Sequence, residues 1–325
     1  MTQASVSGLR LRTMLRTAMG EGLAQALTDP RVREIMVNPD GSVRLDLAGE
    51  GRINTGVIMP AADIERVIRL VASHIRAEVH ADSPIVSAEL PGTVDGVSGE
   101  RFEGLLPPVV AGPCFSIRKS AHRLYGLGDY VADQIMTSQQ ARMLRQAISD
   151  RRNILVAGGT SSGKTTLTNA LLAEVAERDE RVILIEDTRE LKCAAKDVVA
   201  LRTRPGFVTL ADLVRSTLRL RPDRIIVGEV RGAEALDMLK AWNTGHPGGI
   251  ATLHANSARG ALYRLEQLVQ EAVVHVPRPM IAEAIDLIVF ICGENSFNQM
   301  PRRIEEIAEI NGLDSAGDYQ LRSLT

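Results

Sequence analysis

The chain has 325 residues, 45% hydrophobic and 24% charged, with a formal net charge of −2. That length and mixture suit a globular protein of two domains with ample core, and they exclude disordered, collagenous and coiled-coil classes. A near-neutral balance with only 3% aromatic residues also argues against a general nucleic-acid binder, which needs a basic stripe or stacking platforms, and no direct sequence-specific nucleic-acid binding is expected.

In chain order, Leu11, Met14, Leu15, Ala18, Leu23 and Leu27 recur at helical intervals, and Asp29-Pro30 ends that helix. Its basic residues Arg10, Arg12 and Arg16 read as a solvated face. Two short apolar runs, 34–37 and 43–47, flank Asn38-Pro39-Asp40-Gly41, where Pro fixes φ and Gly accepts a positive φ, so a hairpin is expected. Ile64, Val67, Ile68, Val71 and Ile75 define one face of a helix over 63–79, followed to Lys119 by Gly- and Pro-punctuated short strands. Residues 1–120 therefore read as an α+β domain, and 121–136, with Gly126 and Gly128 and no clear period, as a linker.

Across 137–325 the pattern alternates. Short β-branched runs at 153–157, 182–185, 224–227, 249–253 and 287–292 are separated by helical stretches, which predicts parallel strands buried on both faces of a doubly wound α/β sheet. The tail, 304–310 and 319–324 around Asn311-Gly312, is expected to add a hairpin. The apolar run 285–292 is far short of the ~20 residues that span a bilayer, and the N-terminus shows no secretory h-region, so a cytoplasmic location is expected. Cys114, Cys193 and Cys292 are scattered and form no zinc or redox pair.

Gly158-Gly159-Thr160-Ser161-Ser162-Gly163-Lys164-Thr165 fits G-x-x-x-x-G-K-[ST], follows a predicted strand and opens a predicted helix. Such a loop wraps a β-phosphate with backbone N–H groups at a helix N-terminus. Residues 158–166, including Thr166, are the candidate nucleotide cradle, with Lys164 charged toward the β/γ oxygens and the Thr165 hydroxyl on Mg²⁺. Strand C-termini near a P-loop are where acids act. Glu229, in Val227-Gly228-Glu229, is the candidate for orienting or deprotonating water, and Glu186, in Ile185-Glu186-Asp187-Thr188, for polarising water or steadying Mg²⁺. The two roles are interchangeable at this level, and Gly228 stands where many P-loop enzymes carry a Walker-B Asp. His254, ending the strand next to Glu229, is positioned to donate to a γ-phosphate and relay its loss. His246 is a weaker candidate for the same place. Positive charge opposite the γ-phosphate is open among Arg101, Arg118, Arg215, Arg219 and Arg221.

The order of the P-loop, Ile185-Glu186-Asp187-Thr188-Arg189-Glu190-Leu191, Leu220 through Arg231, and Gly245-His246 through His254-Ala255-Asn256-Ser257 resembles the Walker A, Asp box, Walker B and His box of the secretion ATPases of type II and type IV systems. The wording of 225–257, with Ala241-Trp242-Asn243-Thr244, is most similar to the conjugal-transfer branch called TrbB. The resemblance implies a RecA-like P-loop motor domain preceded by a smaller α+β domain, a homo-hexameric ring, ATP and Mg²⁺ as substrate and cofactor, and docking on inner-membrane components of a secretion or conjugation channel from its cytoplasmic face. It also makes Arg118, in Phe115-Ser116-Ile117-Arg118-Lys119, the leading arginine at the phosphates, with Arg101 second. The absence of a four-cysteine zinc module favours type IV over type II. Two alternatives are a RecA-like nucleic-acid translocase, marked by DNA-stimulated turnover, and a nucleotide-gated assembly scaffold, marked by slow turnover even with its partners.

Overall fold

A computed structural model describes residues 3–90, 99–119, 124–204, 206–293 and 300–324, with side chains from residue 11 onward. Its contacts divide into two compact units, Met1–His122 and Arg123–Thr325.

The first unit opens with α1 (Gln3–Thr28), two helical segments that meet at Gly20. Leu15 and Met19 of the first segment and Leu23 of the second are all buried, four residues apart on one face in the first case. Strands β1 (Val32–Val37), β2 (Ser42–Leu47) and β3 (Gly51–Ile58), helix α2 (Ala61–His74), then β4 (Ile85–Glu89), β5 (Arg101–Leu105) and β6 (Cys114–Arg118) complete the unit. The sheet order is β3-β2-β1-β6-β5-β4, antiparallel throughout. The Asn38-Pro39-Asp40-Gly41 turn forms as expected, with Asp40 Oδ1 accepting from the Ser42 N–H at 2.9 Å. Helix α2 stops at His74, short of the expected end, because Arg76 takes φ 55°. Ile64, Val67 and Ile68 of α2 form one core with Ile35, Phe102, Phe115 and Ile117 of the sheet. Alternation then sends Glu34, Ser116, Arg118, Arg101 and Glu103 to the other face of the sheet.

The second unit contains α3 (Leu127–Ala132), α4 (Ser138–Ser149), β7 (Ile154–Gly158), α5 (Lys164–Ala176), β8 (Arg181–Glu186), β9 (Asp197–Arg202), α6 (Leu210–Thr217), β10 (Arg224–Val227), α7 (Glu234–Asn243), β11 (Ile250–His254), α8 (Ala258–Gln270), α9 (Arg278–Ala284), β12 (Leu287–Cys292), β13 (Arg303–Leu313) and β14 (Tyr319–Ser323). Its sheet runs β14-β13-β12-β7-β11-β10-β8-β9, parallel from β12 to β9 and closed by an antiparallel edge. The five β-branched runs are its five central strands, fully or almost fully buried.

Four details differ from the sequence expectation. Residues 121–123 lie outside the described residues, but within the expected linker Leu127, Tyr130 and Met136 join the core beside Leu144 and Ile148. Edge strands β3 and β9 carry no buried alternation, so their sequences gave no strand signal. Asn311-Gly312 falls inside β13, where the register shifts between Ile310 and Leu313. The hairpin turn is instead closed by Asp314, whose Oδ1 accepts from the N–H groups of Ala316 and Asp318 at 2.8 and 2.9 Å. Finally, β11 lies between β7 and β10, so the strand carrying Glu229 is not the immediate neighbour of the P-loop strand.

At the N-terminal edge of the sheet, Arg224 is fully buried. It donates to the carbonyls of Ile148 at 2.8 Å and Gly248 at 3.2 Å and pairs with Glu180, which also meets Arg151 at 2.9 Å. Burial raises the Glu180 carboxyl, but hydrogen bonds and charges from Arg224 and then Arg151 outweigh it and hold it below its ordinary value. The depressed folded-state pKa means that this pairing stabilises the fold above the ordinary glutamate range and is lost as pH falls through the depressed value. Arg224→Ala strands two buried carbonyls and half of an ion pair. It should cost about 3–5 kcal/mol in urea unfolding, whereas Arg219→Ala, an exposed change, should stay within about 0.5 kcal/mol.

Candidate nucleotide-binding site

The apolar run of β7 ends at Gly158, and the chain turns through 159–163 into α5. Gly163, the residue before α5, has φ 100° and ψ 21°, a left-handed conformation that a side chain would oppose. Ser161 shares that region at φ 59°. Helices α4, α6 and α8 are each capped by a Thr or Ser side chain accepting from the first turn. Helix α5 has no such side-chain cap, so its first N–H groups and its dipole are left to an anion.

Lys164 is buried, and its Nζ donates to the carbonyls of Gly158 at 3.0 Å and Gly159 at 2.8 Å. The same ammonium lies 3.4 and 3.5 Å from the two ring nitrogens of His254. This contact follows from register, since β11 places His254 opposite Gly158 of β7. His254 Nε2 in turn lies 2.7 Å from Glu229 Oε1, although that oxygen is buried without an aligned hydrogen bond: the approach is close but off the donor's axis. Glu229 Oε2 is held by Arg231, which is 3.8 Å from Asp187. Lys164, His254, Glu229, Arg231 and Asp187 thus form one continuous polar chain along the C-terminal ends of β7, β11, β10 and β8.

Glu229 is set in place by β11 on one side and β8 on the other. The Thr252 hydroxyl donates to the Gly228 carbonyl at 2.6 Å, and the Gly228 N–H donates to Ile185 at 2.9 Å. A Cβ at Gly228 would sit 3.0 Å from Glu186 Cγ, so any side chain there would press on the buried acid.

Glu186 is buried at the end of β8, with Oε1 accepting from the N–H groups of both Glu190 and Leu191 at 2.8 Å. It is therefore bound to the backbone of its own loop. What that loop delivers to the P-loop is Glu190, whose Oε2 accepts from the Thr165 hydroxyl at 3.2 Å. The Asn169 side chain reinforces the placement by donating to the Glu190 carbonyl at 3.1 Å. Glu190 was quoted in the Asp box but given no role by the sequence. Only the four-residue offset from a strand-end acid to a second acid could have flagged it. Among the described residues no group of three or more His, Cys, Asp or Glu forms a metal site, so a cation here would draw on phosphate oxygens as well as Thr165.

His246 lies in the loop before β11, at the sheet edge opposite the P-loop. Arg215 is occupied by Asp237 at 2.8 Å, and Arg219 and Arg221 precede β10 at that same far edge. In the first unit, Arg118 and Arg101 are direct cross-strand partners on β6 and β5. Glu34 is the partner of Arg118 on β1, and Glu89 that of Arg101 on β4. The row Glu34-Arg118-Arg101-Glu89 thus sets one like-charge pair between two opposite-charge pairs on the same face.

A strand, a glycine-rich turn into an uncapped helix, a lysine curled in the turn and an acid two strands away place the second unit among RecA-like P-loop proteins. The family described as type II/IV secretion system protein matches residues 55–316, and the chain belongs to it. It is 50% identical over 305 residues, 93% of this chain and 91% of the relative, to the conjugal transfer protein TrbB of Rhizobium radiobacter. It is 33% identical over 318 residues, 87% and 91% of the respective lengths, to the type IV secretion system protein PtlH of Bordetella pertussis. Its backbone is similar to a crystal structure of the pilus retraction motor PilT with bound ADP, with a TM-score of 0.61 at 18% identity over 93% of this chain and 80% of that one, a likeness of fold.

Were a Mg²⁺ to bind at the Thr165 hydroxyl, the contact with Thr165 would put Glu190 in an outer place beside it. Outer partners of metal ligands are worth roughly 10–100-fold in metal affinity, so Glu190→Gln should raise the Mg²⁺ concentration for half-maximal ATP hydrolysis by about tenfold or more. An unchanged Mg²⁺ titration would remove Glu190 from the site.

Proposed function

We propose that this chain is the Mg²⁺-dependent ATPase of a type IV secretion machine for conjugative transfer. In this reading it works as a homo-hexameric ring, peripheral on the cytoplasmic face of inner-membrane channel components. Family membership and the 50% identity to a TrbB protein support the setting. The observation that carries the chemistry is the contact from Lys164 through His254 to Glu229, because it joins the phosphate-binding lysine to the acid placed to act on water. Among the described residues no helix is long and apolar enough to cross a membrane.

With no nucleotide, Lys164 satisfies its charge on the loop's own carbonyls. ATP offers that ammonium stronger, charged acceptors, and the N–H groups of 159–166 close around the β-phosphate. As Lys164 leaves the Gly158 and Gly159 carbonyls, His254 is free to turn from Lys164 and Glu229 toward the γ-phosphate. Glu229, still tethered by Arg231, then presents Oε1 to a water and accepts its proton as the water oxygen attacks the γ-phosphorus and the bond to the β-phosphate oxygen breaks. A Mg²⁺ bound at the Thr165 hydroxyl, backed by Glu190, supplies charge neutralisation for the β and γ oxygens. Glu186 fixes the loop that carries Glu190. Arg118, with Arg101 beside it, is the proposed arginine that senses the γ-phosphate from the N-terminal domain, and its planar fork suits that task better than lysine.

Glu229→Gln preserves shape and removes the proton acceptor. It should bind ATP with near-normal affinity while phosphate release falls by about 10²–10⁴-fold. Turnover within twofold of the parent enzyme would show that another group handles the water.

A further inference from the structure

Arg302 lies just before β13, 141 residues from the P-loop it touches. Its neighbour Ile304 is pinned to the second unit's core, donating to the Ile135 carbonyl at 2.7 Å and accepting from Gln140 Nε2 at 3.4 Å. From that anchor the Arg302 side chain reaches the loop at Ser161 and Gly163. Its Nη2 is 3.4 Å from the Ser161 carbonyl. Its Nε, Cδ and Cζ would stand 3.3–3.5 Å from a Cβ built on Gly163, so the guanidinium rests on the bare face of that glycine.

Among the described residues, the one hydrogen bond of this guanidinium is the long one to the Ser161 carbonyl. Nε is buried and has no hydrogen-bond partner, and among the described residues Arg302 makes no ion pair. A buried, charged donor without an acceptor opposes folding. Beside it the Ser162 hydroxyl is likewise buried and unpartnered, so two unsatisfied polar groups lie at the same turn of the loop. Burial pushes the Tyr130 phenol up, while the Arg302 charge acts on it in the opposite direction, so the field of this guanidinium is felt locally. The position is also informative. β12 and β11 lie on opposite sides of β7; His254 and Glu229 approach from the β11 side, and Arg302 from the β12 side, away from the acid that acts on water.

We propose that Arg302 is a nucleotide-positioning residue: it holds the left-handed Ser161 peptide of the P-loop and supplies a fixed positive charge on the β12 side of the cradle, which binds the diphosphate portion common to ADP and ATP. The proposal rests on the nucleotide-binding reading of the P-loop. It predicts a contribution that does not distinguish ADP from ATP, unlike groups aimed at the γ-phosphate. Removing it lowers affinity for both to the same degree.

The test is a titration of the full chain with a fluorescent ADP and, separately, a non-hydrolysable ATP analogue. Each is run in EDTA and in Mg²⁺ and at several salt concentrations, for the parent, Arg302→Gln, Arg302→Lys, Arg302→Ala and Lys164→Ala. Arg302→Gln keeps a long stem and a donor for the Ser161 carbonyl but loses the charge, so it remains informative even if the alanine variant fails to fold. Arg302→Gln is expected to weaken both nucleotides about tenfold to a hundredfold, the range of a hydrogen bond to a charged group. It should also flatten the salt dependence of binding, and Arg302→Lys should recover part of the loss. Arg303→Ala, which removes the partner of Glu305, should leave affinity alone. Arg302→Gln binding both nucleotides like the parent, or losing only the ATP analogue, overturns the proposal. So does a loss with unaltered salt dependence and no recovery by lysine. A parent protein that binds neither nucleotide would instead overturn the reading of the P-loop on which the proposal stands.

Discussion

A buried ammonium must be hydrogen-bonded or leave the interior, and in this chain Lys164 meets that requirement by curling onto the carbonyls of Gly158 and Gly159. The rest of the site follows from that constraint. Two carbonyls of the loop are tied to one charge. The uncapped N-terminus of α5 lies directly behind. An arriving polyphosphate therefore replaces an internal set of acceptors with a better one, and the free energy of that exchange falls on the loop and on the histidine that touches the lysine.

The polar chain from Lys164 to Asp187 gives the exchange a direction. His254 touches both the ammonium and Glu229, so it links the lysine to the acid two strands away. β11 is the element that makes this possible. A histidine at its C-terminal end spans the gap between the phosphate cradle and the strand that ends at Glu229, a gap too wide for a direct carboxylate contact with the P-loop strand. On the other side, Glu186 Oε1 accepts from the N–H groups of Glu190 and Leu191 and so helps to present Glu190 at Thr165. The buried acid shapes, and the less buried one is presented.

Much of this was legible in the sequence. The P-loop was visible because its geometry needs glycines and a lysine at fixed spacing, and the five central strands because strands buried on both faces read as unbroken β-branched runs. Glu229 and His254 were found as strand-end residues. Strand order was legible in part: the strand ending at His254 was expected beside the one before Glu229 and is, but nothing in the run 250–254 says that it also pairs with β7. Glu190 and Arg302 were missed for a related reason. Each reaches the cradle through a loop or strand end whose position is fixed by long-range packing, and Arg302 does so across 141 residues. The swap between Glu186 and Glu190 at Thr165 was hidden because both follow the same strand, and only the hydrogen bonds of the loop separate a carboxylate that caps from one that faces outward.

Lys164 is held by the loop's carbonyls and is expected to leave them when phosphate arrives. A crystal structure of the full chain with Mg²⁺ and a non-hydrolysable ATP analogue tests this most directly. Lys164 Nζ is expected on phosphate oxygens, withdrawn from the Gly158 and Gly159 carbonyls, with His254 turned away from the lysine. Nucleotide bound in the loop while Lys164 keeps both carbonyls and its contact with His254 would contradict it.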